Sequence, residues 1–186
     1  VPTDVSSWDA VQSLADRTME AFGAVHVVHN NAGVVVSGPV ASLSLADWEW
    51  VLGVDLWSVI YGVKAFLPLI KASGEGHIVN TASTAGLQAS PSIAPYNVAK
   101  FGVVALTETL RLELEAEKSP VSASVLCPGA INTQIVTSKR NRSAESAADH
   151  ESSAAEAAFE ENAGKLLAEK GKDPAEVAAM IVNAIK

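Results

Sequence analysis

Two side chains able to move a proton together, Tyr96 and Lys100, stand four residues apart. On a helix that spacing puts both on one face, with the ammonium near the phenol. A phenol titrates near about pH 10 in water, and a neighbouring cation lowers that value by favouring phenolate. The pair could therefore serve as an acid/base. By itself the spacing is common in a chain with nine lysines, and a tyrosine packed beside a solvated lysine is the plain structural alternative. A third candidate, Ser83, lies thirteen residues before Tyr96, directly after an apolar run.

Stepping outward, helical and extended patterns alternate along the chain. Ser6 with Asp9 resembles a capping box, and Trp8, Val11, Leu14, Ala15, Thr18 and Phe22 follow at helical spacing up to Gly23. Val25 to His29 is short and valine-rich, which suits a buried strand. Ser44 with Asp47 opens a helix that runs towards Lys71, with Pro68 near its end. Gly76 to Ala82 predicts a second strand, Pro95 to Glu117 a long helix, and Val121 to Cys127 a third strand closed by Pro128-Gly129. Asp173-Pro174-Ala175-Glu176 combines an N-cap, a first-turn proline and an acid, so it starts a last helix.

Strands separated by helices of this length cannot form hairpins. The expectation is a parallel sheet whose three strands lie side by side in chain order, with helices on both faces. Three successive strands then end in polar turns on one edge: Asn30-Asn31-Ala32-Gly33, Ser83, and Pro128-Gly129-Ala130-Ile131-Asn132-Thr133. Ligands bind at that carboxyl edge in parallel sheets. Residues 134–171, rich in Ala, Ser and Glu, predict a mobile helical flap or a poorly ordered stretch within the single domain 1–186.

Composition narrows the function classes. The chain has 186 residues, enough for one core, and 48% are hydrophobic, which excludes disorder over most of its length. Against 21 acidic side chains stand 13 basic ones, a net charge of −8, so a nucleic-acid surface is not expected. Cys127 is the only cysteine, and His26 and His29 have no carboxylate or thiol partners at ligand spacing, so neither a disulfide nor a metal site is predicted. The charge-free stretches 21–46 and 78–99 are too rich in Pro, Asn, His and hydroxyls for membrane spans. A reduced, cytoplasmic setting is the expectation. His77 is predicted at the surface, and Trp48, Trp50 and Trp57 in core or subunit contacts.

Asp4-Val5, Asn30-Asn31-Ala32-Gly33, Ser83, the run from Tyr96 to Lys100, and Pro128-Gly129 with Thr133 occur in an order and spacing that closely resembles the short-chain dehydrogenase/reductase family. The resemblance implies a Rossmann-like, doubly wound parallel α/β fold, represented by its central and C-terminal part, which makes 1–186 a partial domain with 134–171 on its substrate side. It implies an oxidoreductase interconverting an alcohol and a ketone, with NAD or NADP as cofactor and a homo-oligomeric assembly. By the same resemblance Tyr96 is the acid/base, Ser83 binds the substrate oxygen, and Lys100 holds the nicotinamide ribose. Asp4 and Val5 would lie near the adenine, Asn31, Ala32 and Gly33 along the adenosine side, and Pro128, Gly129, Ile131 and Thr133 at the nicotinamide end.

Two departures accompany it. The family's Val-Asn-Leu is Val54-Asp55-Leu56 here, placing an acid, Asp55, where an amide supports the lysine. The family's opening strand and Gly-rich turn have no counterpart, and the chain reads as a fragment open at both ends. Gly74-Glu75-Gly76 precedes a strand, the wrong context for a dinucleotide fingerprint. A non-catalytic binding or oligomerisation module of the same fold is the alternative reading. A Ser83 hydrolase is disfavoured because no G-x-S-x-G elbow surrounds the serine.

Overall fold

The computed structural model describes residues 1–142 and 154–186. Helix α1 spans Trp8–Phe22. Its N-cap is Ser7, whose hydroxyl accepts from the Ala10 N–H at 3.3 Å, one residue later than the expected Ser6. Ser6 is diverted: its N–H and hydroxyl both donate to Asp4 Oδ1, at 3.0 and 2.7 Å, so the turn before the helix consumes it. Gly23 ends the helix at φ +75°, a conformation that glycine adopts without steric cost.

Strand β1 (Val27–Asn30) leads into a loop and then α2 (Leu45–Leu52). The capping box predicted at Ser44 and Asp47 is present in both directions. The helix does continue to Ser73, but through one wide π turn, Gly53–Trp57, before α3 (Ser58–Ser73), with Pro68 near its end as expected. By length and apolar composition 45–73 could cross a membrane. Its Val63, Phe66 and Ile70 are instead buried in the core of this domain.

Strand β2 (Gly76–Thr81), helix α4 (Ala94–Ala116) and strand β3 (Val121–Leu126) follow. The sheet is parallel in the order β1-β2-β3, with Val27 beside His77 and Gly76 beside Val121. Val11 and Ala15 of α1, Phe66 and Ile70 of α3, and Leu110 and Leu114 of α4 share one core with Ile78, Val121 and Ala123. These helices therefore cover a single face. On the other, Val27, His29 and Ser122 are exposed, so helical cover on both faces is not what the described residues form. His77 corrects its surface assignment: it is buried, and its Nε2 lies 2.8 Å from Ser124 Oγ.

A polar spine runs through the helical side. Asn30 Nδ2 donates to Asn80 Oδ1 at 2.8 Å, and Asn80 Nδ2 to Thr107 Oγ1 at 3.0 Å, which satisfies the fully buried Asn80. Gly62 makes this possible, because a Cβ there would fall 2.1 Å from Asn30 Oδ1. After β3 come a 3₁₀ segment, Ile135–Asn141, and helices α5 (Ala154–Lys170) and α6 (Pro174–Ile185). Asp173 caps α6 as predicted, accepting from the Ala175 N–H at 2.8 Å. Part of the segment expected to be mobile, residues 143–153, lies outside the described residues.

Candidate active site

Each polar turn at the carboxyl edge of the sheet contributes to one cavity of about 540 Å³. That volume suits a small-molecule or cofactor site. Asn31, Ala32 and Gly33 come from the end of β1, Ser83 from the end of β2, and Pro128, Gly129, Ile131 and Thr133 from beyond β3. Tyr96 and Lys100 project into it from the start of α4. His29 and Leu126 line it as well, together with Val177 and Ile181 of α6. Asp4 and Val5 are not brought here: Asp4 is exposed and spent on Ser6.

The turns are fixed by their own backbone. The Thr84 N–H donates to Pro128 O at 2.9 Å, which pins the Ser83 turn to the Pro128-Gly129 turn. Ser83 caps a short 3₁₀ turn, Thr84–Gly86, accepting from the Ala85 N–H at 3.1 Å. Ser83 and Tyr96 line the same cavity.

Lys100 is 2% exposed. Its Nζ donates to Thr81 O at 3.1 Å and lies 3.1 Å from Asp55 Oδ2. Thr81 O takes one of the three ammonium protons, which leaves donor capacity for a ligand. Asp55 is fully buried in the π turn, and its Oδ1 accepts from the Val34 N–H at 2.8 Å. It stands behind Lys100 and does not line the cavity. Burial pushes the Asp55 carboxyl up to about 6, against the opposing pull of Lys100. Tyr96 is pushed up to about 12, first by burial and then by the charge on Asp55, while Ser83 pulls the other way. The cation expected to acidify the phenol is thus neutralised by its own partner, and the phenol is held protonated.

Two further features lay outside the sequence reading. His29 Nε2 lies 2.8 Å from Thr81 Oγ1, which donates to Asn31 Oδ1 at 3.1 Å, so Asn31 is left with its amide N–H groups free to donate. Ser138, 1% exposed, exchanges hydrogen bonds with the Val35 backbone, accepting from the N–H at 2.9 Å and donating to the carbonyl at 3.3 Å. Arg142 forms a buried ion pair with Asp47 and stacks 4.3 Å from the Trp50 ring centroid. Burial raises the Asp47 pKa, but the bonds from Arg142 and Ser44 outweigh it and hold the carboxyl below its ordinary value. These contacts fasten the 3₁₀ segment over the cavity, and no short motif announces contacts about a hundred residues apart.

The family model described as short chain dehydrogenase matches residues 1–144. The chain belongs to that family. Among curated proteins it is 45% identical over 132 residues to a putative oxidoreductase SadH of Mycobacterium tuberculosis, covering 71% of this chain and 48% of that protein. It is 32% identical over 146 residues to the CLA biosynthesis dehydrogenase/reductase of Lactiplantibacillus plantarum, covering 78% and 51%. The chain thus spans about half the length of the curated relatives it matches. A short-chain dehydrogenase/reductase from Burkholderia phymatum in complex with NAD superimposes with a TM-score of 0.95 at 38% identity, covering 99% of this chain and 66% of that one. An alcohol dehydrogenase of the archaeon Thermococcus sibiricus, complexed with 5-hydroxy-NADP, gives 0.66 at 30% identity over 72% and 55%. The three parallel strands are accordingly part of a Rossmann-fold sheet.

The residues present fit a nicotinamide cofactor on their own terms. Gly129 opens onto free space, since a Cβ there would meet nothing within 4 Å. Lys100, the Asn31 amide and the Thr133 hydroxyl supply donors in the same cavity.

Proposed function

We propose that this chain carries the catalytic part of an NAD(P)-dependent oxidoreductase that interconverts an alcohol and a carbonyl compound. The observation that carries this reading is the convergence of Ser83, Tyr96 and Lys100 on one cavity, with Gly129 opening onto it. A bound nicotinamide supplies the hydride acceptor in oxidation and the hydride donor in reduction. Ser83 holds the substrate oxygen by a hydrogen bond, and the Tyr96 hydroxyl passes its proton to that oxygen in reduction or receives it in oxidation. Lys100 uses its free N–H to orient the ribose hydroxyls. Asn31, Ala32 and Gly33 line the adenosine side, and Pro128, Gly129, Ile131 and Thr133 the nicotinamide end.

A phenol held near 12 is an acid at neutral pH, which favours carbonyl reduction there and alcohol oxidation only under alkaline conditions. Gln134, Ile135, Arg140 and Leu167 form the substrate side, with the 3₁₀ segment fastened by Ser138 and Arg142. Exposed Trp57 on the π turn and Phe101 and Leu112 on α4 suit a contact between copies of the chain. The test is a panel of aldehydes and ketones with NADH or NADPH, followed by loss of the reduced-cofactor absorbance. Turnover that disappears in Tyr96→Phe supports the reading. Turnover that persists in Tyr96→Phe, or none in the wild type, rejects it.

A further inference from the structure

In a protein with net charge −8, the described residues lining the cavity include no Asp or Glu. Its titratable lining groups are His29, Tyr96, Lys100 and Arg140. Burial holds His29 below its ordinary value, so it is neutral at pH 7, and Lys100 is answered by Asp55 at 3.1 Å. Arg140 makes no ion pair among the described residues, so one positive charge is left on the cavity wall.

The guanidinium is also held in place. Its Nη1 donates to Gln134 O at 3.0 Å, Thr137 O at 2.8 Å and Thr137 Oγ1 at 3.0 Å. All these bonds use one nitrogen. The opposite edge, Nε–H with Nη2, has no partner among the described residues, and that edge matches two oxygens of a carboxylate or phosphate side by side. A fork already fixed by the protein loses little freedom when it takes up an anion. Arg140 lies seven residues beyond Thr133, past the turn assigned to the nicotinamide end and on the substrate side.

We propose that the Nε/Nη2 edge of Arg140 recognises an anionic group of the ligand, and that the substrate is an alcohol or carbonyl compound bearing a carboxylate or phosphate. This rests on the oxidoreductase reading above for the reaction, but not for the binding. The cofactor's pyrophosphate is a second source of the same chemistry, and the experiment separates the two.

Levulinate and its uncharged methyl ester serve as matched probes. With NADH-loaded protein, kcat/KM is measured for both, and calorimetry gives their affinities and that of NAD⁺. In Arg140→Gln, levulinate should lose about 10- to 100-fold in affinity and in kcat/KM, the span expected for a lost charge-assisted hydrogen-bond pair. The ester and NAD⁺ should be unaffected. Arg140→Lys, which keeps the charge and a donor for Gln134 but not the fork, should fall between.

A loss confined to NAD⁺ affinity would overturn the substrate assignment and give the anion site to the cofactor. No change in any of the three affinities would overturn the proposal altogether. If neither probe is turned over, the oxidoreductase reading is decided by the aldehyde and ketone panel and the anion site by binding: levulinate binding that Arg140→Gln abolishes upholds the site, and wild-type protein that binds no levulinate overturns it.

Discussion

Asp55→Asn removes one charge from behind the site while keeping the size of the side chain and an oxygen for the Val34 N–H. Asp55 Oδ2 is 3.1 Å from Lys100 Nζ, which is 5.4 Å from the Tyr96 ring centroid, so the carboxylate lies within about 8.5 Å of the ring. At an effective dielectric of about 20, a unit charge at that distance is worth about 2 kcal/mol, or roughly one and a half pH units on the phenol. The sign is fixed: ionised Asp55 opposes phenolate, so its removal lets Tyr96 ionise at lower pH. The assay is the pH dependence of kcat/KM for alcohol oxidation, with the limb that reports the base moving down by about one unit or more. Phenolate absorbance gives an independent reading, since Tyr61 is the only other tyrosine and Tyr96→Phe identifies the signal. Below about pH 6, where Asp55 is protonated, the two proteins should converge. Superimposable profiles at alkaline pH would refute the coupling and leave Asp55 a structural residue.

Tyr96→Phe should lower kcat by about 10²-fold or more with cofactor affinity nearly unchanged, because the ring packing survives and the proton-transfer group does not. Asp55 is raised from 3.8 to about 6 on folding, so its ionisation costs stability. Chemical denaturation should show the wild type losing up to about 3 kcal/mol relative to Asp55→Asn as pH rises from about 4 to 6, and no further change above. Asp47→Ala removes the buried carboxylate paired with Arg142 together with a capping box, and urea titration should report a loss of about 3–5 kcal/mol. Ile78→Ala, at a fully buried position shared by three helices and the sheet, should cost about 2–5 kcal/mol by the same titration.

What the sequence disclosed follows from the range of the interactions involved. Ser44 and Asp47 act over three residues, Tyr96 and Lys100 over four, and Asp173 caps its own helix, so each was readable locally. The three apolar runs gave the strands and their parallel order, because only a crossover connection fits between them. Ser6 misled because its competing acceptor, Asp4, also sits within the same turn and wins. Single-sided cover could not be read from β2, whose Ile78 and Val79 are both buried although they point to opposite faces. His77 looked like a surface residue because its partner, Ser124, is 47 positions away. The same distance problem hid Ser138 and Arg142, whose partners precede them by 103 and 95 residues.

The wide turn at Gly53–Trp57 joins the fold to the chemistry. In an unbroken α-helix the inward stripe of α2 would continue unchanged into α3, at a fixed advance per residue. One widened turn resets that phase. Val51 can then pack on Val34 and Val36 of the loop after β1, while Val63, Phe66 and Ile70 face the sheet. Asp55 sits within the reset itself, where its two oxygens reach different elements: Oδ1 takes the Val34 N–H, and Oδ2 faces the Lys100 ammonium on α4. Gly33 closes over the pair, and a Cβ there would come within 3.4 Å of Asp55 and 3.6 Å of Lys100. A single buried carboxylate therefore ties together the loop that lines the cavity, the helix that carries Tyr96, and the turn that sets the core packing. Its ionisation cannot change without altering both the charge on the acid/base and the anchor of that loop.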